Sequence, residues 1–276
     1  MVTVSLRSAA SLLRSPAAWL PGLALGGIAA SFILTQYFLG LFIAQRLLII
    51  LLVLLPFFMS GLLGMVRTGE TGIHSFASEG VSGYFRVLLP SLIILFAIVI
   101  TIFLLMIPLL ALGIGGQALV FMVLSCGLSI LFFTIFYDAA AVLEGKTVFE
   151  SIRRSVKFVI RNTHSCVIFY LTSLVLGIAV AFVTLLFWTA SLYDRLVSIS
   201  GLTPEEMQSF TLEQFNTLIG QDGILVTALF FFAGTALAFS LLYAFKAFFY
   251  RDYAGKEQES PAIRGEYDSK GRWYKY

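Results

Sequence analysis

Asp138, in the run Phe136-Tyr137-Asp138-Ala139-Ala140-Ala141, is the one acid close to the interior of a long apolar stretch. An ionisable group at membrane depth is a functional candidate by default, because desolvation makes it costly to keep without a reason. It lies about one helical turn from the end of that stretch. There it can reach water or pair with Arg153 or Arg154, and such structural pairing is the role its position favours. Just beyond it, Thr147-Val148-Phe149-Glu150 has the form of a capping box: the threonine accepts from an orphan amide and the glutamate reaches back. From that start, Phe149, Ile152, Val156, Val159 and Ile160 fall on one helical face. Arg153, Lys157 and Arg161 recur four apart on another, with Arg154 beside them. A basic amphipathic helix at a membrane surface buries its apolar side among acyl chains and offers its charge to anionic headgroups. The plainer role for the same helix is to connect two spans and fix their topology. Asp138, Arg153, Arg154, Lys157 and Arg161 together form a candidate lipid or partner site at the inner face.

Other chemistries lack their residues. His74 and His164 stand on separate connections, and no Cys or His cluster accompanies them, so no metal site is expected. Neither a Walker-type loop nor HExxH nor G-x-S-x-G occurs, and no paired carboxylates lie within an apolar tract. The sequence therefore predicts no catalytic residue and no cofactor. The glycines of Gly113-Ile114-Gly115-Gly116 mark a turn, not a phosphate cradle. Cys126 and Cys166 fall at opposite faces and are read as small apolar fillers.

The elements that position these residues follow from where charge is missing. Of the 276 residues 59% are hydrophobic and 12% charged, with mean hydropathy +0.95; a soluble domain carries about 25% charged residues. No charge occurs from Ser15 to Gln45, Leu47 to Val66, Val87 to Tyr137, Asn162 to Tyr193, or Gly223 to Phe245. A span needs about 20 apolar residues, so the tract from Val87 to Tyr137 holds two. Continuous rather than alternating runs exclude a membrane barrel, and backbone groups without water must pair within helices. The expected architecture is all-α: a polytopic integral membrane bundle of six transmembrane helices with short interfacial amphipathic helices. The spans are about 17–40, 47–66, 87–112, 118–143, 166–192 and 223–249. An amphipathic inner-face segment (1–16) precedes them and a polar cytoplasmic tail (250–276) follows. A short surface helix is expected within Arg67–Arg86, and a kink at Pro56. The stretch Ala29-Ala30-Ser31 could mimic a signal-peptide cleavage site, but the apolar run continues past it.

Orientation comes from the basic residues. With both termini in the cytoplasm, the inner segments hold sixteen of the eighteen Lys and Arg, leaving Arg46, which snorkels, and Arg195 outside. The net charge of +3 then reflects the inner face rather than affinity for nucleic acid. The outer segment carries Asp194, Glu205, Glu206, Glu213 and Asp222, and Thr203-Pro204 starts a short helix there. Small-residue stripes (Gly22, Gly26 and Ala30; Gly177 and Ala181; Gly234 and Ala238) are read as helix-packing positions, and as possible sliding faces only in a carrier.

The run from Phe136 to Lys146, continuing through Glu150-Ser151-Ile152-Arg153-Arg154-Ser155, resembles a pattern in a broad group of uncharacterised archaeal and bacterial six-span membrane proteins. These are related to the membrane domain of glycerophosphoryl diester phosphodiesterase. The Gly61–Gly64 end of span two and the Phe76–Phe85 connection fit the same pattern. The resemblance implies a membrane architecture in the cell membrane and transfers no catalytic residue, since nothing here matches the metal-binding acids of the soluble barrel. The expected function is that of a non-catalytic accessory or lipid-interacting protein. A carrier for a small apolar or weakly polar solute is the alternative, with a cavity near Pro56, Ser60, Ser125, Ser129 and Thr134. A lipid-acting enzyme is the second, and it requires Asp138, His74, His164 and Arg153 to converge.

Overall fold

The computed structural model describes residues 2–113, 115–197, 201, 211–259, 265–267 and 273–275. Its helices are α1 (Val2–Leu12), a 3-10 turn (Pro16–Trp19), α2 (Leu20–Leu39), α3 (Leu41–Thr68), α4 (Ile73–Ala111), α5 (Gly116–Thr134), α6 (Tyr137–Leu143), α7 (Val148–Arg161), α8 (Thr163–Ser191), α9 (Tyr193–Leu196) and α10 (Leu212–Glu259). Two short strands, β1 (Gly265–Tyr267) and β2 (Trp273–Lys275), pair antiparallel in the tail, where the sequence suggested only polar chain. Six helical stretches are long and apolar enough to cross a membrane. They correspond to α2 with its leading turn, α3, α4, α5 continuing through α6, α8 and α10.

Glycine sets the reversals at the far end. Gly40 alone, at φ 88°, turns α2 into α3, and Gly113 and Gly116, at φ 75° and 61°, turn α4 into α5. Positive φ is a conformation that side chains with a Cβ resist. Gly220, at φ 66° and ψ −179°, kinks α10 near its start.

Two expected boundaries move. The connection over 67–86 is not a separate surface helix, because α4 runs unbroken from Ile73 into the third span. Its glycines serve close approach to α3 instead. A Cβ on Gly80 would meet the Phe57 ring at 2.7 Å, one on Gly61 the Phe76 ring at 2.8 Å, and one on Gly83 would collide with the Ser60 hydroxyl. Likewise α10 does not stop at residue 249. It continues to Glu259 because Tyr250 and Ala254 are buried, and Ser5 of α1 donates to Asp252 at 2.6 Å. Pro56 sits inside an unbroken α3. Close to the carbonyl it leaves unpaired, the Tyr84 hydroxyl donates to the Val53 carbonyl at 2.9 Å.

Neighbouring helices follow the order α8–α10–α2–α3–α4–α5, with α7 touching both α5 and α8. The main core lies at the end of the bundle that carries α1, α6 and α7. There Phe136, Phe158, Phe169, Phe249 and Tyr250 stack on one another beneath Leu62, Leu63 and Val142. Toward the far end the helices present apolar side chains outward. In the most apolar window of α4 only 6% of residues are buried, and in those of the fourth and fifth spans 11%. A smaller cluster of Leu192, Ile219 and Ile224 closes the far end of α8 and α10. The Thr203-Pro204 start of the outer helix lies outside the described residues.

Candidate functional site

The fourth span breaks at Ile135–Phe136, between α5 and α6. A break frees backbone groups that must find other partners. Ser155 of α7 supplies them: its hydroxyl donates to the Phe133 carbonyl at 2.9 Å and accepts from the Phe136 amide at 3.1 Å. One residue earlier, the Tyr170 hydroxyl of α8 donates to the Phe132 carbonyl at 2.6 Å. The short helix α6 that follows is almost wholly buried, and it carries Asp138 inward.

Asp138 has no solvent exposure, and both of its carboxylate oxygens are engaged. Oδ2 accepts from Lys246 Nζ at 2.6 Å and from the Tyr243 hydroxyl at 2.7 Å, while Oδ1 accepts from the Ala139 amide at 2.7 Å. The Lys246 ammonium also sits 4.8 Å from the Tyr243 ring centroid, within cation–π range. The partner expected for Asp138 was Arg153 or Arg154. The structure gives Lys246 instead, because α6 faces the last helix and Arg154 is held elsewhere. Glu144, just past α6, accepts from Arg154 Nε at 2.9 and 3.0 Å and from the Tyr250 hydroxyl at 2.7 Å. Tyr243, Lys246 and Tyr250 stand at i, i+3 and i+7 of α10, one face of one helix. A third pair, Arg67 with Glu79 at 2.5 Å, ties α3 to α4, and the same guanidinium donates to the Val142 carbonyl at 3.2 Å. Three charged contacts thus fasten α6 and its flank to α3, α7 and α10.

The sequence model of a domain of unknown function, DUF7847, matches residues 1–253, a range that contains all three charged contacts and ends inside α10. The chain belongs to this family. No curated protein and no solved structure matches it.

In this DUF7847 member the remaining candidate residues separate into two groups. Arg153, Lys157 and Arg161 are exposed along α7, away from Asp138. The capping box at its start is formed, with Glu150 accepting from the Thr147 amide at 3.2 Å. Bonds from the Thr147 side chain and amide hold the Glu150 carboxyl below its usual range. The inward face of α7 is not the set of apolar residues read from the sequence. Ser151, Ser155, Phe158 and Val159 are buried, whereas Phe149 and Ile160 are 73% and 60% exposed. At 100° per residue, Phe149 and Ile160 fall immediately beside the Arg153–Lys157–Arg161 stripe. The small serines let α7 sit close against the break in the fourth span, and its larger apolar residues are displaced to the flank.

His74 and His164 are both exposed, and among the described residues no group of three or more His, Cys, Asp or Glu could hold a metal. Cys126 and Cys166 are free thiols. The small-residue stripes differ among themselves. A Cβ on Gly22 would collide with the Ala236 carbonyl and one on Gly26 would meet the Phe232 carbonyl at 2.5 Å, so these two press α2 onto α10. Ala30 continues that side half-buried. A Cβ on Gly234 would meet the Thr184 hydroxyl at 2.6 Å, but one on Gly177 would find only Leu242, at 4.0 Å. Gly177, Ala181 and Ala238 line an open groove rather than a close contact.

Proposed function

We propose that the protein is a six-span integral membrane protein of the cell membrane, with both termini cytoplasmic, and that it serves as a non-catalytic, lipid-interacting accessory protein. The apolar exterior supports insertion: Phe42, Phe96, Phe121 and Phe182 are among many large side chains more than half exposed, a surface that water does not tolerate in a monomer. The observation that carries the lipid reading is the outer edge of α7. Exposed Phe149 and Ile160 adjoin exposed Arg153, Lys157 and Arg161, which is the side-by-side order of acyl-chain depth and headgroup charge.

The site chemistry supports this reading over the two others. Asp138 is buried and spends both oxygens on protein donors, whereas His74, His164 and Arg153 are all exposed. The hydroxyls a carrier could use are occupied as well: Ser60 bonds the Glu79 carbonyl, and Ser125, Ser129 and Thr134 bond carbonyls of their own helix.

The test is lipid retention by the purified full chain, read by native mass spectrometry in mixtures of phosphatidylglycerol and phosphatidylcholine. Each basic side chain near an anionic surface contributes about 1 kcal/mol. Replacing Arg153, Lys157 and Arg161 together by Gln is therefore expected to cut the preference for phosphatidylglycerol at least about tenfold. An unchanged preference would refute the lipid role of α7.

A further inference from the structure

Two cavities lie between α2, α8 and α10, of about 500 Å³ and about 470 Å³. Leu185 and Phe231 line both, so the two adjoin end to end and are treated as the two halves of one groove. The half toward the far end is walled by Phe32, Ile33 and Trp188 and carries the amides of Gln36 and Asn216 at its mouth. The deeper half is walled by Leu25, Gly177, Ala181, Thr184, Gly234 and Ala238. No charged side chain lines either half.

We infer that this groove is a binding site for a single outer-leaflet lipid, holding one hydrocarbon chain along α8 and α10 and the ester or ether oxygens of its linkage at Gln36 and Asn216. Three observations carry the assignment. The first is length. From Trp188 to Gly177 the groove follows eleven residues of α8, about 16 Å at 1.5 Å per residue. That is about half of a hydrocarbon core some 30 Å thick, the depth of one leaflet. The second is polarity at the correct end. Neither Gln36 nor Asn216 makes a side-chain hydrogen bond to another described residue, so each has amide donors to offer at the mouth. Behind them Trp188 Nε1 donates to Thr227 at 2.9 Å and Thr227 donates to the Gly223 carbonyl at 2.7 Å, and the deeper half adds only the hydroxyls of Thr184 and Thr235 to an otherwise apolar wall. The third is the wall. Gly177, Ala181 and Ala238 keep the deeper half open where larger residues would close α8 onto α10.

The inference rests on the six-span reading with cytoplasmic termini, which puts the mouth at the outer face. An inverted chain would keep the groove and move it to the other leaflet. The basic edge of α7 is at the opposite end of the bundle and plays no part in it.

The experiment uses the full chain in nanodiscs containing phosphatidylcholine with a photoreactive diazirine in one chain. After irradiation, crosslinks mapped by mass spectrometry are expected to concentrate on groove residues such as Leu185 and Phe231. Labelling no denser there than at lipid-facing Phe96 and Phe121 would overturn the site. Ala181→Phe and Ala238→Phe fill the groove from opposite walls. Each is expected to lower groove labelling at least fivefold, while Val99→Phe on the exposed face of α4 leaves it unchanged. Equal labelling in a folded groove variant and in the Val99→Phe control would also overturn it. If both groove variants fail to fold, the wild-type crosslink map decides alone. Groove labelling that survives in the α7 triple-Gln variant separates this site from the headgroup role of α7.

Discussion

Asp138 and Lys246 are joined at 2.6 Å with 0% and 10% of their side chains exposed, so each is the other's solvation. Removing one partner of such a pair strands a buried charge, which costs about 3–5 kcal/mol, whereas replacing both with apolar groups of similar size is close to neutral. Lys246→Met is therefore expected to destabilise the protein by about 3–5 kcal/mol. The double variant Asp138→Leu/Lys246→Met should recover most of that loss, as read from unfolding in mixed detergent–SDS micelles. A double variant as unstable as the single one would show that the pair is not what fastens α6 to α10. At this scale the sequence exposed one half of the contact. Asp138 stands out as an acid at membrane depth, and nothing in its spacing reveals its partner. Lys246 closes a charge-free tract and looks like one more cytoplasmic flank residue. Its inward direction follows only from the face it shares with Tyr243 and Tyr250, and that face has meaning once α6 is known to lie against it.

At the scale of elements, α7 shows what local chemistry can determine. Its start was legible because a capping box is written in four consecutive residues, Thr147 to Glu150, and both of its bonds are present. Thr147→Ala removes the acceptor for an orphan amide and should cost about 1 kcal/mol, seen as faster amide exchange in the first turn of α7. Glu150 sets the sign of the pH response. Its carboxyl is lowered in the folded protein by the bonds from Thr147, so its contribution is fully present above the ordinary glutamate range near about 4.3. That contribution is lost as pH falls through the lowered folded value. Acidification should thus lower the protection factors of that turn, taken relative to the intrinsic exchange rate at each pH, and Glu150→Gln should abolish this change; a change retained in Glu150→Gln would assign it to another group. The inward face of α7 was not legible, because Ser151 and Ser155 are buried for what they bond and how closely they allow approach, not for being apolar. The same holds for α4. Gly80 and Gly83 fall in a stretch read from the sequence as a short surface helix, but they sit within the long α4, where the Phe57 ring and the Ser60 hydroxyl leave no room for a Cβ.

For the whole molecule, the charge-free tracts determine the number of long helices because twenty apolar residues in a row admit few other uses. Which helices are neighbours is a different kind of information. The order α8–α10–α2–α3–α4–α5 depends on small-residue contacts such as Gly22 and Gly26 on α10, and on charged contacts between helices far apart in sequence. The result is a bundle fastened at the end that holds α6 and α7 and apolar on its outside toward the other end. That distribution fits a bilayer with the fastened end at the cytoplasmic face, where sixteen of eighteen basic residues would lie. Orientation is measurable directly. In a background with Cys126→Ser and Cys166→Ala, single cysteines at Glu70 and Glu213, both exposed, would occupy opposite faces. A membrane-impermeant maleimide added to intact cells is expected to label position 213 and to reach position 70 only after the cells are opened. The reverse pattern would invert the protein, placing the basic edge of α7 outside and the groove in the inner leaflet. Labelling of both positions in intact cells would mean that the long helices do not separate two compartments, and the six-span reading would fall with it.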